Sequence, residues 1–172
     1  AIVVGPDYLG NEVKINSREF RCAEAVVTKA NNDVVVCWYE NGPLSLFAYM
    51  SKDLRINGKE IDADNEIVHV ENRNWYNNVS ITSNGDNIVF AYTIGKNNIV
   101  GRIRHNDGSW SKGCILSFDD GMCGVRPTLA LGKDNILRYS WQFAMMNGHQ
   151  IRNAVIIYNE VSLNEMEKYD DT

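Results

Sequence analysis

Val125-Arg126-Pro127-Thr128-Leu129-Ala130-Leu131, Gly132-Lys133-Asp134-Asn135, Ile136-Leu137-Arg138-Tyr139-Ser140-Trp141 is the stretch on which the fold turns. A short apolar run, a polar turn and a second run closing on an aromatic residue spell two antiparallel strands and their hairpin. The same grammar appears twice upstream. Asn77-Asn78-Val79-Ser80-Ile81-Thr82 leads through Asn84-Gly85-Asp86-Asn87 to Ile88-Val89-Phe90-Ala91-Tyr92. Phe20-Arg21-Cys22-Ala23-Glu24-Ala25-Val26-Val27-Thr28 leads through Asn31-Asn32-Asp33 to Val34-Val35-Val36-Cys37-Trp38-Tyr39-Glu40. A third strand is expected in each copy, over Leu44 to Met50, Ile99 to Arg104 and Ile151 to Tyr158. Recurrence at roughly 50 residues marks stacked or radial repeats. The chain therefore reads as one all-β domain over 1–172, a propeller of antiparallel sheets with repeat units at 17–65, 66–118 and 119–162 and an acidic tail at 163–172. A β-sandwich made from the same strands is the alternative.

The turns carry their own chemistry. Asn-Gly at Asn41-Gly42, Asn57-Gly58, Asn84-Gly85 and Asn147-Gly148, and Asp-Gly at Asp107-Gly108 and Asp120-Gly121, tolerate the positive φ of tight hairpins. Alternation in Ile99, Gly101, Ile103 suits a half-buried strand, whereas the continuous Val34-Val35-Val36 suits one covered on both faces. Trp38, Tyr92 and Trp141 close equivalent strands and so are expected in the packing seams between blades. Leu163-Asn164-Glu165-Met166-Glu167-Lys168 offers the best helical stretch, read as a frayed terminus or one helical turn.

With 44% hydrophobic and 23% charged residues the 172-residue chain is ordinary globular material, long enough for one well-formed core. A formal net charge of −5 without a cluster of Lys and Arg argues against nucleic acid as the main partner. No apolar stretch approaches the ~20 residues of a membrane span. The chain opens on Ala1 rather than Met, as a processed, trimmed or partial polypeptide would. Asp62-Ala63-Asp64-Asn65-Glu66 alternates carboxylates as calcium loops do but lacks the Gly and distal Glu of one, so no metal and no cofactor are expected. Cys22 with Cys37, and Cys114 with Cys123, are separated as local disulfides could be; buried thiols are the competing reading. Asn78-Val79-Ser80 is an N-glycosylation sequon, meaningful only on a secretory route, and a secreted or cell-surface location is slightly favoured.

Just before the first strand of each repeat the chain places Arg21, then Arg73-Asn74-Trp75-Tyr76-Asn77, then Arg126. Guanidinium groups aimed at one mouth would bind an anionic or polyhydroxylated ligand; each Arg pairing with a nearby carboxylate is the plainer reading. Trp75-Tyr76 beside Arg73 and Asn74 can stack on an apolar sugar face while the polar groups take hydroxyls. Trp110 in its Asp-Gly turn serves either as such a platform or as a ring folded back to lock the turn.

Phe20-Arg21 followed by Val26-Val27-Thr28 resembles the first blade of sialidase-type propellers, where an arginine meets the substrate carboxylate, and Val125-Arg126-Pro127-Thr128 resembles a second copy. Asn106-Asp107-Gly108-Ser109-Trp110-Ser111 resembles both a shortened Asp-box turn of that family and the turn of bacterial and fungal propeller lectins. Cys22-Ala23 stands where that family has Ile-Pro, and three blades are about half its usual six. The resemblance implies a glycan ligand. Sialidase chemistry would also need an acid/base Asp and a Tyr–Glu pair, and nothing in the spacing of Glu24, Asp33, Glu40 and Tyr158 gathers them. The expectation is a lectin-like module binding Arg21, Arg73, Asn74, Trp75, Tyr76, Trp110 and Arg126 to carbohydrate, without catalytic residues. Part of a glycoside hydrolase and a protein-interaction module are the alternatives. An open arc would be completed by a second copy, as a homodimer, or by a larger parent polypeptide.

Overall fold

The structure, a computed structural model, describes residues 4–5, 8–9, 21–31, 33–41, 51–57, 65–69, 78–94, 98–117, 123–147 and 150–169. After a small hairpin of β1 (Val4–Gly5) and β2 (Tyr8–Leu9), three antiparallel sheets follow one another along the chain. The first holds β3 (Arg21–Ala30), β4 (Asp33–Asn41), β5 (Ser51–Asn57) and β6 (Asn65–His69) in sequential order. The second holds β7 (Val79–Ser83), β8 (Ile88–Ile94), β9 (Asn98–Arg104) and β10 (Cys114–Ile115), again in order. The third has β11 (Cys123–Leu131), β12 (Ile136–Asn147) and β13 (Gln150–Ser162). The short helix α1 (Leu163–Lys168) ends the described chain.

Each sheet is a meander, and the first strand of the middle one, β7, packs between the first strands β3 and β11 of its neighbours. This is how successive propeller blades meet around an axis. A two-layer sandwich is excluded by the middle sheet, which is covered on both faces by different sheets. On β8 alternate residues part company: Ile88, Phe90 and Tyr92 join Val35 and Cys37 of the first blade in one core. Val89 and Ala91 join Leu137, Tyr139 and Trp141 of the third blade in another. A continuous apolar run is what such a strand requires. Phe90 and Tyr92 stack at 5.6 Å, as do Tyr139 and Trp141.

Tyr92 and Trp141 thus line the seams as expected. Trp38 is also buried, on the strand face opposite Val35 and Cys37 and so turned away from the second blade. The third strand of the first blade falls on Ser51–Asn57, after the expected Leu44 to Met50, which lies outside the described residues. Leu54 and Ile56 alternate there with Asp53 and Arg55, a period-two pattern overshadowed by the more apolar run before it. β6 straddles the expected unit boundary at 65/66 and pairs with β5, so it completes the first blade.

Gly85 and Gly108 adopt φ of +105° and +85°, as their Asn-Gly and Asp-Gly turns demand. The remaining Asn-Gly and Asp-Gly turns extend outside the described residues. Asn31 and Asn135 supply the left-handed residue in the other two first hairpins. These hairpins meet at one end of the arc, where the Asn84 amide donates to Asn135 Oδ1 (2.7 Å) and to the Gly132 carbonyl (3.3 Å). The Leu131 N–H donates to Thr82 Oγ1 (3.1 Å). We refer to this as the turn end and to the opposite one, where β3, β7 and β11 begin, as the leading end.

Of the two readings of 163–168, one helical turn describes the structure better than fraying does. Ser162 and Glu165 form a reciprocal capping box, with the Glu165 N–H donating to Ser162 Oγ (3.2 Å) and the Ser162 N–H to Glu165 Oε2 (3.1 Å). Leu163 and Met166 are buried in the core between blades two and three. Gly101 makes room for this helix, because a Cβ there would stand 3.0 Å from Met166 Cε and 2.8 Å from Leu116 Cδ1.

Of the two readings of the cysteines, buried thiols fit Cys37 better than a local disulfide does. Cys37 lies opposite Val26 and Cys22 opposite Glu40, so the two are offset by several residues at ~3.3 Å each, beyond disulfide reach. Cys37 is a buried free thiol whose pKa burial pushes far above the usual range. Cys114 pairs with Gly101 in the second blade and Cys123 with Ala144 in the third, and the Cys114 thiol is directed at the Ile115 carbonyl (3.8 Å).

Burial also pushes the Tyr139 phenol up to about 12. An unfolded tyrosine titrates near ~10, so the folded state holds this proton more tightly. The stability this confers is complete below ~10 and is lost as pH rises through the folded value. Alkaline unfolding followed by circular dichroism should show this drop, and Tyr139→Phe should flatten it.

Candidate functional site

The leading end is built by strand starts and by the hairpin joining the second and third strands of a blade. Arg21 opens β3 opposite Asn41, and Val125 of β11 lies opposite Gln142 of β12. In both strands the ladder breaks soon after: between Ala23 and Val26 in β3, and between Val125 and Thr128 in β11. Equivalent bulges in equivalent strands support the repeat. They also refine its alignment, since Glu24-Ala25 occupies in the first blade the place of Arg126-Pro127 in the third. Arg21 lies farther out along its strand than Arg126 does.

Arg126 has φ +57°, a left-handed conformation that a branched or long side chain adopts at a cost. It precedes Pro127, whose ring normally drives its predecessor to extended geometry. Pro127 is buried while Arg126 is exposed, so the bulge anchors the proline and turns the guanidinium stem outward. Strain of this kind, of order 1–3 kcal/mol, concentrates where a side chain is being aimed.

Two residues that sequence reasoning passed over stand at the same end. Thr93 and Asn98 flank the β8–β9 hairpin, and the side-chain oxygens Thr93 Oγ1 and Asn98 Oδ1 are buried without a hydrogen-bond partner. Thr93 continues the alternation of Val89 and Ala91, facing the third blade. A hydroxyl closing an otherwise apolar strand was the available signal. Buried oxygens without partners are uncommon in native folds and mark places where a polar group is wanted.

The remaining expected site residues divide. Arg73, Asn74, Trp75 and Tyr76 lie outside the described residues, in the segment leading into β7, and of Arg21 the backbone alone is described. Trp110 is at the turn end, bridged to Arg104, with its ring edge-on to Phe90 at 5.0 Å. Around it Asp107 accepts from the Ser109 N–H (2.8 Å) and hydroxyl (2.6 Å), which holds its carboxyl below the usual carboxylate range. The Asn106–Ser111 motif is therefore a locked turn, and its Trp stands apart from Arg126.

Tyr158 and Glu160 do meet: two apart on β13, they share a short hydrogen bond from phenol to carboxylate. Arg138 joins them, 3.3 Å from Glu160 and 2.9 Å from Asp134. The bond to Glu160 raises the Tyr158 pKa. This network lies on the outer face toward the turn end, away from Arg126. Among the described residues no three His, Cys, Asp or Glu side chains cluster as metal ligands do, and no helix is long and apolar enough to cross a membrane.

The chain matches no family model, and no curated protein sequence matches it significantly. Its fold is similar to that in the crystal structure of an alpha-L-arabinofuranosidase from Lactobacillus brevis, with a TM-score of 0.59 and 8% sequence identity. The similarity covers 88% of this chain and 56% of that one, so the chain spans little more than half its length. At this identity the likeness speaks for the fold: nearly all β, in propeller-like blades.

Proposed function

We propose that this chain is a carbohydrate-binding, lectin-like propeller module whose ligand sits at the leading end and which carries no catalytic machinery of its own. The observation that carries the reading is Arg126, exposed from a strained bulge at the end where Thr93 and Asn98 leave buried oxygens unpartnered. A guanidinium with neutral hydrogen-bonding oxygens suits a polyhydroxylated or acidic sugar. To this site the sequence adds Arg21, Arg73 and Asn74 as polar contacts and Trp75 and Tyr76 as stacking faces, though Arg73 to Tyr76 and the Arg21 side chain lie outside the described residues. Trp110, at the turn end, would serve a different contact.

The fold likeness to an arabinofuranosidase favours one second reading, in which the chain is part of a glycoside hydrolase. Retention on a glycan array tests the main reading. Arg126→Ala and Trp75→Ala should each weaken binding by about 10- to 100-fold, the worth of a charge-assisted hydrogen bond or a stacked ring, with little change in melting temperature. Retention unchanged in both variants would reject the site, and turnover of aryl glycosides would favour the hydrolase.

A further inference from the structure

Among the described residues β13 is the longest strand, thirteen residues, and it forms the edge of the third blade, with no other described strand paired beyond it. The other two blades end in short fourth strands, β6 of five residues and β10 of two, which blunts their edges. Of the six large apolar side chains exposed among the described residues, Val155, Ile156 and Tyr158 lie on β13, with Ile156 72% exposed. A long edge with an apolar centre is a template for another strand.

The strand's own sequence says which strand fits. Laid antiparallel on itself about Ile156, it sets Val155 against Ile157, Asn153 against Asn159 and Arg152 against Glu160. The apolar Val155–Ile157 pair and the Asn pair match, Ala154 meets Tyr158, and at the charged positions opposites meet. A shift of two residues puts Arg152 opposite Ser162 or Tyr158 and loses the match. Local charge points the same way, because in the ion pairs among the described residues Asp134 and Glu160 share Arg138. Arg152 is the extra residue of a bulge, since Ile151 and Asn153 pair with adjacent Met146 and Met145, so regular pairing runs over 153–159 with Arg152 and Glu160 at its two ends.

We propose that two copies of the chain associate by antiparallel pairing of β13 about Ile156, joining two three-stranded blades into one six-stranded sheet. This edge-to-edge dimer differs from one that closes a ring of blades, and it is independent of the ligand reading. Sedimentation equilibrium of the full chain should show a monomer–dimer equilibrium. Ile156→Lys sets two ammonium groups at the two-fold axis and should weaken it at least about tenfold, since like charges directly opposed repel. Arg152→Glu and Glu160→Arg should each weaken it, and combining them should restore it to within about threefold of the parent. Circular dichroism checks that each variant folds, and Ile156→Lys tests the contact without disturbing Arg138. A chain monomeric at every concentration, or a dimer that Ile156→Lys leaves unchanged, would overturn the proposal, as would failure of the folded double reversal to restore pairing. Binding of a foreign strand by an otherwise monomeric chain would assign the edge to another partner and overturn it equally.

Discussion

Trp141→Ala should lower the unfolding free energy by about 3–5 kcal/mol, the usual cost of deleting a large aromatic side chain from a core. Trp141 is 1% exposed and stacks on Tyr139 at an interplanar angle of 17°, filling the core between blades two and three. Against a total stability of about 5–15 kcal/mol for a typical domain, such a loss is severe. Urea denaturation monitored by far-UV circular dichroism should show a lower midpoint, with Trp141→Phe recovering part of it. A cost below about 1 kcal/mol would mean that the seam is not packed as described.

Met166→Ala is the second large effect, at about 2–5 kcal/mol. A six-residue helix is too short to persist on propensity, so α1 depends on its capping box and on burying Leu163 and Met166. Truncating Met166 opens space beside Gly101. Gly101→Ala, tight alone against Met166 Cε and Leu116 Cδ1, should cost less in the Met166→Ala background. A double-mutant cycle measures that coupling, and strictly additive costs would place Met166 elsewhere.

Much of the architecture was legible because hairpin grammar is local. Asn-Gly turns and the continuous run of β8 each constrain the chain within a few residues, whereas the alternation in β9 suggested a half-buried strand and both its faces are covered. The first blade's third strand was harder, because Lys52, Asp53 and Arg55 dilute its apolar signal beside the apolar stretch before it. Bulges were harder still. An extra residue in a strand leaves composition unchanged, so the matching of Arg21 with Arg126 by flanking residues could not reveal that Glu24 occupies the equivalent place. The strained backbone of Arg126 and the partnerless oxygens of Thr93 and Asn98 depend on tertiary placement. Adjacent β13 register alone brings Tyr158 and Glu160 together, and a strand assignment with alternating faces would have predicted it.

The two-sided burial of β8 makes that strand a common wall between rooms that otherwise share little. Phe90 looks into one and Val89 and Ala91 into the other, all on a single backbone. Enlarging a side chain on one side pushes the wall toward the other, so the fillings of the two rooms must be chosen together along β8 even though elsewhere each can drift on its own.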